Sequence, residues 1–358
     1  MKNLFLFLFI ALPLMGMAQT DSVLVMPDVH LDLTLKPTSF YHTDTDTTLF
    51  LSAVGNLGAQ KFPFILMAGD FLSHRPTHDP ANMAKTFKYI IDHVQNIDPS
   101  AVILPALGNN DCLVHNTSGK ETYDVFYKSM LKRIDKNDAI YKTFSTGGYY
   151  SYETDSLSVI ALNTLLCAWG PFQDAKNEMD WLGKTLQADR RAGKKAWLFY
   201  HVPPGIDKFN GRTTWDAGVQ QMYLDTIKKY AAIIKFQLSG HTHMDDCRLI
   251  TDKGKLISYV AIAPGLDSRN GNNPAYQVMH FDVPSKTIRK VYTWYTDSAH
   301  PYQWFGFGFT ALNYNFILHY NSNSPEGRDF VNHYSTDRPM KRMKWNADFC
   351  NESIISTN

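Results

Sequence analysis

The sequence predicts an α/β fold built from layers of strands and helices. Short apolar runs of the length of buried strands recur along the chain, and segments with apolar residues at helical spacing lie between them. A later group of strands follows the last helix. This order of strand, helix, strand and helix is typical of a layered α/β domain.

Residues 1–18 are predicted to be a secretory signal peptide. Lys2 provides a basic start, an apolar run extends from Leu4 to Leu14, and Gly16 and Ala18 supply small side chains for cleavage. The run is too short for a stable membrane-spanning helix, and an uncleaved anchor is the alternative interpretation. No later apolar run is long enough for a transmembrane helix. We therefore expect a secreted, periplasmic or otherwise extracytoplasmic protein.

The charges of the chain nearly balance. Lys and Arg number 35 and Asp and Glu 34, so removing Lys2 with the signal peptide leaves a formally neutral chain. Such a chain offers no broad basic field for nucleic acid or an anionic membrane. The only basic cluster, at residues 338–344, is interpreted first as a solvated patch and second as a rim that attracts phosphate.

The four cysteines are Cys112, Cys167, Cys247 and Cys350. In an oxidising compartment they allow three complete pairings, and the sequence does not choose between them. Their spacing matches neither a zinc knuckle nor a redox pair. Because a chain of this length can bury a large core, we expect disulfides to have at most a supporting role.

Five apolar runs are predicted to be strands, and each ends in Asp, Asn or His side chains. Because open α/β sheets bind ligands beyond the carboxyl ends of their strands, these side chains are expected to share one site. The runs and their polar ends are Val23 to Met26 with Asp28 and His30, Phe62 to Ala68 with Asp70, Ala101 to Leu107 with Asn109, Lys195 to Tyr200 with His201, and Ile233 to Leu238 with His241 and His243.

The segments around these runs are predicted to form helices, a hairpin and further strands. The polar stretch from Lys36 to Thr48 is predicted to be a loop that contributes to the substrate rim. Helices are expected over Met83 to Val94, Thr122 to Ile134, Asp174 to Ala192 and from Val219 onward; a hairpin joins Gly148–Glu153 to Ser158–Leu162; strands follow at Leu256–Ile262, Tyr276–Val283 and Thr287–Tyr295.

Residues 19–295 are predicted to be the catalytic domain and residues 296–358 a C-terminal extension. The extension is rich in aromatic residues, as in the segment from Trp304 to Phe309. Aromatic side chains are chiefly core material, so we expect the extension to pack on the catalytic domain rather than to form a wall of the cleft. The sequence does not place Trp169 or Trp215, two further candidates for lining that cleft.

The candidate ligands offer nitrogen and oxygen atoms and no thiolate. This mixture suits Zn, Mn or Fe better than Ca, which prefers oxygen ligands throughout. Seven ligands are too many for one tetrahedral ion, so the set predicts two divalent ions. Gly240 has no Cβ, which would let the backbone turn close to an ion.

The complete set of motifs resembles the signature of the calcineurin-like metallophosphoesterases, which is D-x-H, G-D, G-N-H-[D/E], a lone His and G-H-x-H. The matching segments are Asp28-Val29-His30, Gly69-Asp70, Gly108-Asn109-Asn110-Asp111, His201 and Gly240-His241-Thr242-His243. The resemblance implies a two-sheet layered sandwich flanked by helices. It also implies two divalent ions, with Zn²⁺ expected first and Mn²⁺ or Fe as alternatives. These ions would activate a hydroxide for attack on phosphorus.

The resemblance further assigns the ligands to the two ions. One ion is expected at Asp28, His30 and His243, the other at Asn109, His201 and His241, with Asp70 bridging them.

One branch of the family, the acid sphingomyelinase-like phosphodiesterases, resembles the chain to about residue 295. The shared features are His74 four residues after Asp70, His201-Val202-Pro203-Pro204-Gly205, Gly240-His241-Thr242-His243-Met244-Asp245-Asp246, and Ala263-Pro264-Gly265 followed by Asn273-Pro274. This implies hydrolysis of phosphodiesters such as sphingomyelin or soluble nucleotide and phosphocholine esters. No saposin-like domain is expected before the first strand, which makes soluble esters as plausible as the lipid.

Two alternatives remain open. Gly108-Asn109-Asn110-Asp111 followed by Cys112-Leu113-Val114-His115-Asn116 also resembles the endopolyphosphatases, which would mean hydrolysis of phosphoanhydrides. A non-catalytic binding protein on the same fold is the second alternative. The retained set of ligands weighs against it, because burying such a cluster without metal is costly.

The chain departs from the family pattern at Asn110, where the family usually has a histidine that contacts phosphate and helps to protonate the leaving oxygen. Asn110 can donate a hydrogen bond to the substrate but cannot deliver a proton. His74 matches a second active-site histidine of the sphingomyelinase branch, and we assign it the role of general acid. The alternative for His74 is binding of phosphate without proton transfer.

Overall fold

The computed structural model describes residues 19–37, 42–207, 211–310 and 354–357. The predicted signal peptide, the basic cluster at residues 338–344 and Cys350 lie outside these ranges. The described chain forms two large β-sheets with helices packed around them. The predicted layered α/β architecture with two sheets is therefore confirmed.

The first sheet has six strands. Strands β1, β2 and β3 run parallel, with β3 at one edge, whereas β12, β13 and β14 on the other side of β1 pair antiparallel. In spatial order the strands are β14 (Phe305–Thr310), β13 (Ile288–Tyr295), β12 (Ala275–Asp282), β1 (Thr20–Val25), β2 (Phe64–Met67) and β3 (Val102–Pro105).

The second sheet has seven strands, and its middle strands β5, β6, β9 and β11 are parallel. In spatial order the strands are β15 (Ile354–Ser356), β10 (Asp246–Asp252), β11 (Lys255–Ile262), β9 (Ile234–Ser239), β6 (Lys195–Phe199), β5 (Leu157–Ala161) and β4 (Tyr150–Glu153). The predicted hairpin is confirmed as the antiparallel pair β4 and β5. A separate two-stranded ribbon consists of β7 (Ile206–Asp207) and β8 (Arg212–Thr213).

Seven α-helices occur in the described ranges. They are α1 (Thr47–Leu57), α2 (Pro80–Gln95), α3 (Lys120–Phe126), α4 (Tyr141–Gly147), α5 (Thr164–Ala168), α6 (Phe172–Arg191) and α7 (Ala217–Tyr230). The predicted helices over residues 83–94 and 174–192 and the helix from Val219 correspond to α2, α6 and α7. The helix predicted from Thr122 to Ile134 is instead α3 followed by a π-helical turn, Tyr127–Leu131.

Both faces of the second sheet are covered, as β6 illustrates. Trp197 lies in the core between the sheets, with its ring edge-on to Phe64 at 6.2 Å and to Phe281 at 4.9 Å between centroids. The neighbouring Ala196 and Leu198 belong to a second apolar cluster, formed with α6 and α7. A strand that is buried on both faces has a continuous run of apolar residues. The predicted strands could therefore be identified in the sequence as apolar runs.

The prediction of a loop from Lys36 to Thr48 is wrong at its end, because α1 begins at Thr47. Asp46 caps this helix by accepting a hydrogen bond from the backbone N–H of Leu49 at 2.8 Å. Phe50 and Leu57 lie on its buried face. The short helices α4 and α5 and the strand β10 were also not predicted from the sequence.

The two last strands attach the end of the chain to the sheets. β14 pairs with β13 at the edge of the first sheet, and β15 pairs with β10 at the edge of the second. Cys112 and Cys167 are buried thiols. None of the helices in the described ranges is both long enough and apolar enough to cross a membrane.

Candidate metal centre

The loops that follow five parallel strands meet at one place, where the carboxyl edges of the two sheets face each other. Backbone hydrogen bonds connect these loops directly. The N–H groups of Asp28 and His30 donate to the carbonyls of Gly69 and Asp70, each at 2.9 Å, and they join the ends of β1 and β2. Similarly, Gly240 N–H donates to the carbonyl of His201 at 3.1 Å, joining the ends of β6 and β9.

The backbone is strained where the predicted ligands lie. Five of the seven have a positive φ, which is uncommon for residues with a side chain and costs of order 1–3 kcal/mol each. They are Asp28 (49°), His30 (43°), Asp70 (57°), His241 (73°) and His243 (57°). Such strain concentrates at functional sites, because the surrounding structure must hold each side chain in an otherwise unfavourable direction.

One half of the centre contains Asp28, His30 and His243. The Nε2 atoms of the two histidines are 3.2 Å apart. Asp28 Oδ1 lies 3.6 Å from the Nε2 of His243 and 4.0 Å from that of His30. Both oxygens of Asp28 also accept from the backbone N–H of His241 at 3.0 Å, which ties this half to the other.

The other half contains Asn109, His201 and His241. Asn109 Oδ1 lies 2.9 Å from His201 Nε2 and 3.0 Å from His241 Nδ1. The two ring nitrogens are 3.2 Å apart.

Asp70 lies between the halves. Its Oδ2 atom is 3.4 Å from His30 Nε2 and 3.1 Å from His201 Nε2. The structure therefore brings all seven predicted ligands together, in the two groups that the sequence resemblance implied and with Asp70 between them. Six of the seven are buried and His241 is partly exposed.

The hydrogen bonds of three histidine rings leave nitrogen lone pairs free to bind a divalent cation. A neutral imidazole has one N–H donor and one lone pair, so donation by Nδ1 leaves the lone pair on Nε2. His30 Nδ1 donates to the carbonyl of Leu72 at 3.0 Å, His201 Nδ1 donates to that of Ala68 at 2.8 Å, and His243 Nδ1 contacts the carboxylate of Asp267. Three lone pairs then converge with two carboxylates, which is the arrangement and the nitrogen–oxygen mixture that binds Zn, Mn or Fe.

The buried carboxylates of the centre favour positive charge on the groups beside them. Burial by itself would lower the pKa of His201, but Asp70 raises it to about 9. The pKa of His243 likewise reaches about 9, because Asp267 and Asp28 outweigh its burial. Protons or metal ions can supply this positive charge, and a metal ion must displace the protons to bind.

Asp111 fixes two of the ligand loops. Its carboxylate accepts from the backbone N–H groups of Asp70 (2.8 Å), Phe71 (2.7 Å), Leu72 (3.1 Å) and Gly108 (2.9 Å). This explains in physical terms why an acidic residue ends the third motif.

Gly240 leaves room for the side chain of Asp28. A Cβ at this position would lie 2.5 Å from Asp28 Oδ2, so glycine is required to let the carboxylate approach the loop.

His74 lies at the edge of the first half of the centre. Its ring stacks on that of His30, with 3.8 Å between centroids, and its side chain is 24% exposed. Its Nδ1 lies 2.6 Å from Asp44 Oδ1, and Arg269 Nη1 lies 3.4 Å from the same oxygen. Asp44 comes from the stretch predicted to form the rim, of which residues 38–41 lie outside the described ranges.

Asn110 is buried and directed at Asp70. Its side-chain Nδ2 donates to Asp70 Oδ2 and its backbone N–H donates to Asp70 Oδ1, both at 2.8 Å. In this position it orients the carboxylate between the two halves.

The two tryptophans separate clearly. Trp215 is buried and its Nε1 donates to the carbonyl of Val202 at 3.1 Å, so it is part of the core. Trp169 is 45% exposed, and its ring centroid lies 6.1 Å from that of His241. Because His241 and His74 are the partly exposed groups of the cluster, Trp169 marks the open side of the centre.

Sequence reasoning missed three residues that support this centre, namely Asp44, Asp267 and His115. Asp44 and Asp267 contact the histidines described above, and Asn109 Nδ2 lies 2.8 Å from His115 Nε2. His115 lies in the segment that resembles the endopolyphosphatases, but its contact with Asn109 was not predicted. Asp44 and Asp267 were not predicted as partners of the histidines, because a carboxylate that acts behind a ligand has no fixed spacing from it.

Comparison with known proteins agrees with this geometry. The family model of the calcineurin-like phosphoesterases matches residues 22–245, which include all seven predicted ligands. The chain is similar to "Cyclic GMP-AMP phosphodiesterase SMPDL3A" of Rattus norvegicus, with 28% identity over 279 residues, 70% of this chain and 61% of that protein. It is also similar to "Sphingomyelinase phosphodiesterase D" of Dictyostelium discoideum, with 24% identity over 272 residues, covering 72% and 61%.

The chain thus spans about three fifths of the length of these curated relatives. Among solved structures, a dimetal phosphatase from Danio rerio has a TM-score of 0.50 at 11% identity, with 81% of this chain and 98% of that chain covered. At this identity the likeness concerns the fold alone.

Proposed function

Because the chain belongs to the calcineurin-like phosphoesterases, we propose that it is a metal-dependent phosphodiesterase with a two-ion centre. The observation that carries the proposal is the arrangement of the seven ligands in two groups that share Asp70. The ions proposed are Zn²⁺ first, with Mn²⁺ or Fe as alternatives, since the ligands are nitrogen and oxygen atoms. A pair of such ions would neutralise phosphate charge and lower the pKa of a water molecule between them.

Two further residues have proposed roles in the reaction, one in positioning a ligand and one in proton transfer. Asn110 holds the carboxylate of Asp70 in place through two hydrogen bonds. His74 is proposed to deliver the proton to the leaving oxygen, because it lies at the open side and its Nδ1 is fixed by Asp44 at 2.6 Å. If Nδ1 donates to Asp44, Nε2 is the atom that exchanges the proton.

The proposed substrates are phosphodiesters with an organic group, of the kind named for the relatives. Those names specify cyclic GMP-AMP and sphingomyelin for the relatives themselves. In this chain, the exposed ring of Trp169 lies beside His241. This supports a substrate with an organic group, since an indole can stack on a base or bind a quaternary ammonium group. The predicted signal peptide supports action outside the cytoplasm.

Endopolyphosphatase-like hydrolysis is the second candidate. It is favoured by Asn110, because the structure directs this side chain to Asp70 and leaves no histidine at that position to protonate an organic alkoxide. Phosphate is a better leaving group than an alkoxide and needs less help from a general acid.

A panel of substrates tests these proposals. The purified mature chain, analysed for metal, is assayed on bis-p-nitrophenyl phosphate, a cyclic dinucleotide, sphingomyelin, ATP and polyphosphate, with Asp70→Ala as the negative control. Hydrolysis of the diesters that is lost in Asp70→Ala is the expected result. Activity on ATP or polyphosphate alone would replace the proposal by the second candidate, and no turnover with two ions bound would indicate a binding protein.

A further inference from the structure

The amide of Asn109 has two chemically different ends, and only one of them can bind a cation. Its oxygen Oδ1 faces the nitrogens of His201 and His241 at 2.9 and 3.0 Å. Its nitrogen Nδ2 carries two protons and is directed at His115 Nε2, at 2.8 Å. A rotation of the amide by 180° would place the protons among the ligands and exclude the ion, so something must select the orientation.

His115 has the chemistry to make this selection. An amide nitrogen only donates hydrogen bonds, so His115 Nε2 must be the acceptor and its proton must lie on Nδ1. With the amide reversed, His115 could keep this contact only by moving its proton from Nδ1 to Nε2, and the amide protons would face the nitrogens of His201 and His241. With its proton on Nδ1, the histidine therefore supports the orientation of Asn109 that directs Oδ1 toward those nitrogens.

The loop that carries His115 is built to hold it there. The N–H of His115 donates to the carbonyl of Pro76 at 3.0 Å, and Val114 forms a bridge with Thr77. The next residue, Asn116, has a φ of 65° and donates its N–H to the carbonyl of Asn109 at 3.1 Å. The chain thus turns back on the third motif and places the imidazole behind Asn109, although His115 itself is exposed.

We propose that His115 is a positioning residue that fixes the Asn109 amide with its oxygen toward the second metal ion. The inference rests on the two-ion centre of the proposed function. It concerns only the half formed by Asn109, His201 and His241, because the contact of His115 is with Asn109 and the first half has its own supporting residue in Asp267.

The test is a titration of the metal-free protein with Zn²⁺, followed by calorimetry and by direct metal analysis. His115→Ala removes the acceptor, whereas His115→Gln keeps one, since the glutamine oxygen can occupy the place of Nε2. His78→Ala is the matched control, because this histidine lies on the neighbouring segment and its N–H binds the carbonyl of Leu113. The thermal midpoint of each metal-free variant reports on folding.

We expect His115→Ala to weaken one of the two sites by about 10–100-fold, the usual effect of removing a group that orients a ligand, and to leave the other within about twofold. His115→Gln should recover most of the affinity, and His78→Ala should match the wild type.

Unchanged affinity in His115→Ala would overturn the inference. So would an equal loss at both sites with a lower thermal midpoint, or a glutamine variant no better than alanine. These results would leave the two-ion centre intact. A wild-type protein that binds fewer than two ions would contradict the proposed function and this inference together.

Discussion

Among the places in the described chain that bury ionisable side chains, the candidate metal centre and the surroundings of Glu178 differ in kind. At the metal centre, carboxylates and imidazoles from five strand ends face one another. Behind α5, Glu178 is equally buried, but its carboxyl group accepts a hydrogen bond from the backbone N–H of Asn163 at 2.6 Å and contacts the thiol of Cys167. Burial raises the pKa of Glu178 well above its usual range, which favours the neutral form of this acid.

A buried group with a shifted pKa is therefore not enough to identify a catalytic site. Both places have it, but only the metal centre combines opposite charges with a strained backbone. Asp28, Asp70 and His241 have positive φ values, and each follows a different strand. Strain that recurs at several converging loops is the feature that separates function from structural burial.

Asp70→Ala is the change expected to have the largest effect. It removes the carboxylate between the two halves, so both bound metal and turnover should be lost. Two ions stabilise the transition state by several kcal/mol, and hydrolysis of bis-p-nitrophenyl phosphate should fall by about 10³-fold or more. Glu178→Gln, the matched change at the other buried carboxyl group, should keep its metal content and activity. Loss of both in this variant would show that Glu178 is not a purely structural carboxyl group.

His74→Ala should come next in size. It should lower turnover by about 10²–10⁴-fold, the range of a general acid, and leave two ions bound. Substrates with a good leaving group such as p-nitrophenolate should be affected least. Metal analysis of the same preparation is the check, and loss of the ions along with the activity would show that His74 acts as a ligand or a support of His30 instead.

Trp169→Ala should have a smaller effect that depends on the substrate. Loss of a stacking surface costs about 1–3 kcal/mol, so KM for a nucleotide diester should rise by about tenfold. Turnover of bis-p-nitrophenyl phosphate at saturation and the metal content should stay close to the wild type. A uniform loss of turnover on every substrate would mean that Trp169 supports His241 and does not contact the substrate.

Glu178→Gln should produce the smallest change, and it should be one of stability. Because burial raises the pKa of Glu178 in the folded protein well above its ordinary value of 4.5, the stability of the wild type should decrease as the pH rises beyond that value. Glutamine removes this dependence. The thermal midpoint of the variant should exceed that of the wild type by a few degrees at pH 9 and by less at pH 5; equal slopes against pH would contradict a neutral Glu178.

The site could be predicted from the sequence where metal-binding side chains directly follow a predicted strand. All seven predicted ligands follow apolar runs that form buried strands, and such runs are visible without a structure. The contacts behind the ligands were not visible, because they depend on how the loops fold: Asp267 meets His243 from a separate loop, and His115 returns to Asn109 through the turn at Asn116. The helix α1 was missed for a similar reason, since its cap Asp46 lies in a polar stretch that resembles a loop.

We propose that these seven side chains hold two ions with Asp70 between them. Anomalous diffraction from crystals of the Zn²⁺-loaded protein, measured at the zinc absorption edge, locates the bound ions without reference to activity. We expect two peaks about 3.5–4 Å apart, one beside His30 and His243 and the other beside His201 and His241. A single peak, or peaks that lie away from Asp70, would show that these side chains do not form a two-ion centre.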